Sequence, residues 1–104
     1  MTLPEPVSLA VVDVSFISLT RVLPAVCAAL SGESEIVALV KPQFEADPAD
    51  APKGVVHDPA VQRACVSRVA EFARSIGLRV LGEIESPLRG PAGNREFLLH
   101  LAHG

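Results

Sequence analysis

Asp13, Lys41 and Glu96 are of types that could together move a proton. Lys41 follows the apolar run Ile36 to Val40 and precedes Pro42. That run is short, rich in β-branched residues and uninterrupted, as in a strand of a parallel sheet buried on both faces. Lys41 would close its carboxyl end, with Pro42 stopping the ladder behind it, and ligands of open α/β sheets bind in the crevice outside the strand ends. Asp13 holds the matching position in a second apolar run, Ser8 to Val14, and Glu96 opens the last one, EFLLHL. A neutral lysine between two carboxylates can accept the proton of a weakly acidic hydroxyl, while the carboxylates position and polarise it. A structural ion-pair network uses the same residue types. A lysine that merely closes a strand in water and an aspartate that caps the next helix also satisfy the pattern.

The elements that must position these residues follow in order. After the first strand, Leu19, Val22, Leu23, Val26, Cys27 and Leu30 recur at helical spacing. Ser15 or Ser18 could cap that helix and Gly32 could end it. Pro24 must kink it or mark the end of a first turn. The strand Glu35 to Lys41 completes a βαβ unit, whose crossover is right-handed in nearly all cases. Gln43 to His57 is a long polar loop of the kind often used as a lid or substrate loop. Asp58 and Pro59 open the clearest helix, as N-cap and first helical residue. Its buried face is Val61, Cys65, Val69, Phe72 and Ile76, with Gln62 and Arg63 among those turned to water, and Gly77 is the stop. A third strand, Leu78 to Ile84, and a fourth, Glu96 to Leu101, are joined by a loop without a helix, so they should be antiparallel. The expected fold is α/β, with four strands, the last antiparallel, and two helices.

Composition bounds the function. The 104 residues suit one small domain, and 49% hydrophobic against 20% charged residues favours a folded chain. A formal net charge of −3 offers no bulk attraction for nucleic acid, and four aromatics, all Phe, make a single-strand stacking platform unexpected. No apolar run approaches the roughly 20 residues of a membrane span. The start, MTLPEPVS, lacks the basic and apolar segments of a secretory signal, so the cytoplasm is the expected location. Cys27 and Cys65 lie far apart in helical patterns and read as reduced structural thiols, and the histidines have no zinc-ligand spacing.

Five segments carry a resemblance along nearly the whole chain: DVSFISL (Asp13 to Leu19), LVKPQFE (Leu39 to Glu45), GVVHDP (Gly54 to Pro59), SPLRGPAGN (Ser86 to Asn94) and EFLLHL (Glu96 to Leu101). In this order they resemble the TlyA-type proteins, often labelled haemolysin A, among the FtsJ-like ribosomal RNA methyltransferases. The resemblance implies a Rossmann-like fold and transfer of a methyl group from S-adenosylmethionine to a ribose 2′-hydroxyl, in a cytidine of ribosomal RNA for the TlyA type. It also implies a Lys-Asp-Lys-Glu tetrad, with Asp13 as its aspartate, Lys41 as its second lysine and Glu96 as its glutamate. Asp13 would also border the cofactor. Ser15, Phe16, Gln43 and Asn94 would face the substrate.

The tetrad's first lysine, the glycine-rich turn that cradles the cofactor and the S4-like RNA-binding domain have no counterpart in these residues. The expectation is therefore the C-terminal half of a methyltransferase domain over residues 1–104, inactive alone, with ribosomal RNA as partner of the full-length parent. A non-catalytic RNA- or partner-binding module is the alternative. Membrane lysis is suggested only by the family label, since the helices lack the basic face of a membrane-surface helix. A first strand apolar on both sides, with its outer edge unpaired, further predicts a homodimer.

Overall fold

Alternation along the strands decides where the core lies. A computed structural model describes residues 9–30 and 32–104. Its strands are β1 (Leu9–Val12), β2 (Ser34–Val40), β3 (Arg79–Glu85) and β4 (Phe97–His103); its helices are α1 (Leu19–Ala29), α2 (Pro42–Glu45) and α3 (Pro59–Ser75). In β2, Ile36, Ala38 and Val40 are fully buried, while Val37 and Leu39 are half-buried. In β4, Phe97, Leu99 and Leu101 turn inward to the same core. Leu19 and Leu23 of α1 and Val66, Val69 and Ala73 of α3 join that cluster, so both long helices cover one face of the sheet. The other face stays open, with Val11 73% and Ile84 61% exposed. The expectation that β2 is buried on both faces is thus corrected, because no described helix covers its second face.

The sheet order is β1-β2-β4-β3. β1 runs parallel to β2, with Val12 opposite Ala38. β4 is antiparallel to both neighbours, with Val40 opposite Phe97 on one side and Glu85 opposite Phe97 on the other. This is the placement expected when no crossover helix separates β3 from β4. β3 is an edge strand, mostly exposed, with a register shift between Val80 and Gly82.

Among the described residues three helices form rather than the two expected. Pro42 does not simply stop β2. It occupies the first turn of α2, where its missing N–H is no loss. The loop predicted over Gln43 to His57 contains the rest of α2 and two short 3-10 turns. Ser18, not Ser15, caps α1, accepting from Thr20 N at 3.1 Å. Pro24 lies within α1, which ends at Ala29 before Gly32 is reached. Asp58 caps α3 by accepting from Ala60 N at 2.9 Å. Gln62, expected to face water, is buried because its Nε2 donates to Val56 O at 3.0 Å. Cys65 is buried and Cys27 half-buried; both are free, and burial pushes both thiols up. The start MTLPEPVS, which includes Ser8, the first residue of the predicted first strand, lies outside the described residues.

Truncation on the two faces should separate them. Leu101→Ala, at a fully buried position, should cost about 2–5 kcal/mol through lost burial and a cavity. Ile84→Ser, on the open face, should stay within roughly 0.5 kcal/mol. Urea denaturation of the two variants checks this; equal losses would show that the open face is covered.

Candidate active site

Parallel pairing brings the ends of β1 and β2 to one edge of the sheet, and the chemistry collects there. Lys41 caps α2 directly beyond β2. Its Nζ lies 2.6 Å from Asp13 Oδ1 and donates to Ser15 Oγ at 3.2 Å. The lysine side chain is 13% exposed and that of Asp13 57%. The stem of Lys41 is therefore packed while its nitrogen meets a carboxylate that still faces solvent. Such a pair is held by packing as much as by charge, since exposed ion pairs alone are worth little.

Glu96 arrives from the opposite direction. It immediately precedes β4, which is antiparallel to β2, so it comes to the edge where β2 ends. It is 6% exposed and accepts from Gln43 Nε2 at 2.9 Å through Oε2. Gln43 lies two residues beyond Lys41, so an amide links the glutamate to the lysine's segment. The ion pairs among the described residues do not include one between Lys41 and Glu96. Gln43 Oε1 is buried with no hydrogen-bond partner among the described residues.

The remaining residues expected at the substrate divide by exposure. Phe16 is 89% exposed, at a φ of 65°, with its ring centroid 4.9 Å from that of Phe44. A bulky residue at positive φ is uncommon, and here it holds an aromatic face out beside Ser15. Asn94 is 2% exposed, and its amide is engaged inside the protein. Nδ2 donates to Gly54 O at 2.8 Å and to Pro91 O at 2.9 Å, and Oδ1 accepts from Val56 N at 3.1 Å. It ties the loop before α3 to the loop before β4.

Sequence reasoning singled out no role for Glu45. This carboxylate, one helical turn past Lys41, is 7% exposed and meets the start of α1. A glutamate three residues after a proline that follows a strand is the signal that could have found it, had Pro42 been taken as a helix start. Gly90 was likewise read only as a loop residue. Its backbone is extended, so conformational freedom is not the reason for glycine. A Cβ there would sit 2.1 Å from Glu96 Oε2. Among the described residues no group of His, Cys, Asp and Glu could hold a metal ion.

Comparison with known proteins gives the family. The family model for FtsJ-like methyltransferases matches residues 1–103. The chain belongs to the FtsJ-like methyltransferase family. It is 48% identical over 96 residues to the 16S/23S rRNA (cytidine-2′-O)-methyltransferase TlyA of Mycobacterium tuberculosis, covering 91% of this chain and 36% of that protein. It is 34% identical over 94 residues to Hemolysin A of Brachyspira hyodysenteriae, covering 89% and 39%. The crystal structure of a provisionally named hemolysin from Lactococcus lactis superposes with a TM-score of 0.93 at 39% identity, covering 99% of this chain and 50% of the other. The chain thus spans little more than a third of the curated relatives it matches. Among the described residues no helix is long and apolar enough to cross a membrane.

For this FtsJ-like chain, Gly90→Ala should leave the fold intact and displace Glu96. The added methyl meets the end of a flexible side chain rather than backbone, so the cost should be about 1–3 kcal/mol. The side-chain amide signals of Gln43 in a 15N correlation spectrum should shift; unchanged signals in a folded variant would refute the close approach.

Proposed function

We propose that this chain carries the proton-accepting part of a ribose 2′-O-methyltransferase that acts on ribosomal RNA, with Lys41 as general base. The observation that supports it is the lysine nitrogen held at the sheet's mouth, 2.6 Å from Asp13 and 3.2 Å from Ser15. In its neutral form Lys41 takes the proton of the ribose 2′-hydroxyl. The oxygen, relieved of its proton, would then be the nucleophile toward a methyl donor held beside it. S-adenosylmethionine supplies the electrophilic methyl group. Of this chain's residues Asp13 would border the cofactor, because a half-exposed carboxylate at the mouth suits a sulfonium cation. What the other residues contribute is positioning and electrostatics.

Glu96 would orient the reacting edge through Gln43. Ser15, Phe16 and Gln43 would meet the nucleotide, with the exposed Phe16 ring as its apolar contact. Asn94 would act on the substrate by shaping the two loops it ties together. The TlyA relative's name specifies a cytidine, and we extend that preference to this chain. A methyltransferase of ribosomal RNA would work in the cytoplasm. The 104 residues alone would bind S-adenosylmethionine weakly and leave catalysis to a longer protein. The exposed β1 residues Leu9 and Val11 would also favour pairing of two copies.

In the full-length protein, Lys41→Ala should abolish methyl transfer to ribosomal RNA, counted as incorporated radiolabelled methyl, with the fold unchanged by circular dichroism. Retained turnover would refute the general-base role. Calorimetry on the 104 residues should show no tight binding of S-adenosylmethionine; a low-micromolar dissociation constant would contradict the division of labour. Light scattering on a sizing column should report a dimer, and a clean monomer at tens of micromolar would exclude it.

A further inference from the structure

We infer that Glu45 is a positioning residue, a buried carboxylate that bolts the segment carrying Lys41 to the segment carrying Asp13 and Ser15. Glu45 ends α2, whose N-cap is Lys41. That one-turn helix is closed by Phe44 N donating to Lys41 O and Ala46 N to Pro42 O, both at 2.9 Å. The position of Lys41 is therefore tied to that of Glu45 through a single rigid turn. The Glu45 carboxylate does not face the substrate side. Its side chain is 2% exposed, and it reaches across to the start of α1.

There Oε1 accepts from Leu19 N at 2.8 Å, and Oε2 accepts from Ser18 Oγ at 2.6 Å. Leu19 is the first residue of α1 and Ser18 its cap. The carboxylate thus satisfies one N–H that a helix start leaves without a partner, at the end where the backbone dipoles favour negative charge. The link from β1 to α1 is short, and Asp13 and Ser15 both lie on it. With β1 paired to β2 at one end and α1 pinned by Glu45 at the other, that link has little freedom. Arg68 of α3 closes the arrangement. Its guanidinium bonds the backbone oxygen of Glu45 and lies 3.8 Å from Oε2. A buried carboxylate with two strong donors and a nearby cation is satisfied, whereas one left without them would be costly.

The inference rests on the reading of Lys41 as the reacting base, and the experiment keeps the two apart. Lys41 and Lys53 are the two lysines of the sequence, and Lys53 is exposed. Labelling the 104-residue chain with 13C,15N-lysine therefore gives a site probe and an internal control. In the unaltered chain the Lys41 side-chain signal should stand apart from that of Lys53, because its nitrogen is held by Asp13. Glu45→Ala should collapse the Lys41 signal toward the Lys53 position while the Lys53 signal stays in place. Glu45→Gln keeps an acceptor for Leu19 N and should restore most of the separation. Ser18→Ala removes the bond to Glu45 together with the cap bond from Thr20 N, at a half-buried position. It leaves the Leu19 N bond to Glu45 and should give a partial shift, which covers the case in which Glu45→Ala does not fold. If Lys41 is resolved in the unaltered chain and stays unmoved in the folded variants, the positioning role is overturned. If the two lysines coincide already in the unaltered chain, the Lys41–Asp13 pair fails, and the proposed active site with it.

Discussion

The parallel pairing of β1 with β2 is the constraint on which the rest depends. With Val12 opposite Ala38, both strands end at the same edge, and the residues just beyond them meet. Asp13 and Lys41 are distant in sequence, and neither has local reason to approach the other. An antiparallel pairing of the same strands would send their carboxyl ends to opposite sides of the sheet. The ion pair is therefore a product of topology, and the βαβ crossover through α1 makes that topology available.

The position of β4 complements this. An antiparallel strand inserted beside β2 brings its start, not its end, to the edge that carries Asp13 and Lys41. Glu96 can therefore join residues that all follow their strands. The loop from Ser86 to Asn94 has to deliver it there, and Asn94 holds that loop against the one before α3. Gly90 leaves the space that the Glu96 carboxylate fills. The site is thus assembled from segments that share no local sequence signal, and buried polar side chains hold them in register.

Much of this was legible in the sequence, for physical reasons that differ by element. Uninterrupted β-branched runs announced β1 and β2, and Asp58 with Pro59 marked the start of α3 through capping chemistry that acts within one turn. The antiparallel β4 followed from the absence of a crossover helix. What stayed hidden depended on distant partners. Gln62 looked like a surface residue because its position on the helix wheel was polar, yet it is buried by a bond to Val56. Asn94 was expected to face a substrate, yet its amide is engaged by the chain itself. The helix α2 was missed because a proline after a strand can either stop a ladder or begin a helix, and only the bonds made beyond it decide which. The open face of the sheet could not be inferred, because half-buried Val37 and Leu39 have the same residue types as fully buried ones.

The insertion of β4 between β2 and β3 also bears on synthesis at the ribosome. The chain is made from its amino end, so β1, α1 and β2 emerge together and can associate early. The second edge of β2 is different, because its partner is the last strand of the described chain. Until Phe97–His103 has emerged, the nascent protein presents an apolar strand with free backbone groups, a template for pairing with neighbouring polysome products. β3 emerges earlier, but its native neighbour is also β4, so it waits for the same strand. Completion of the sheet is thus deferred to the end of this stretch of translation, and chaperone dependence would be set by how long β2 waits.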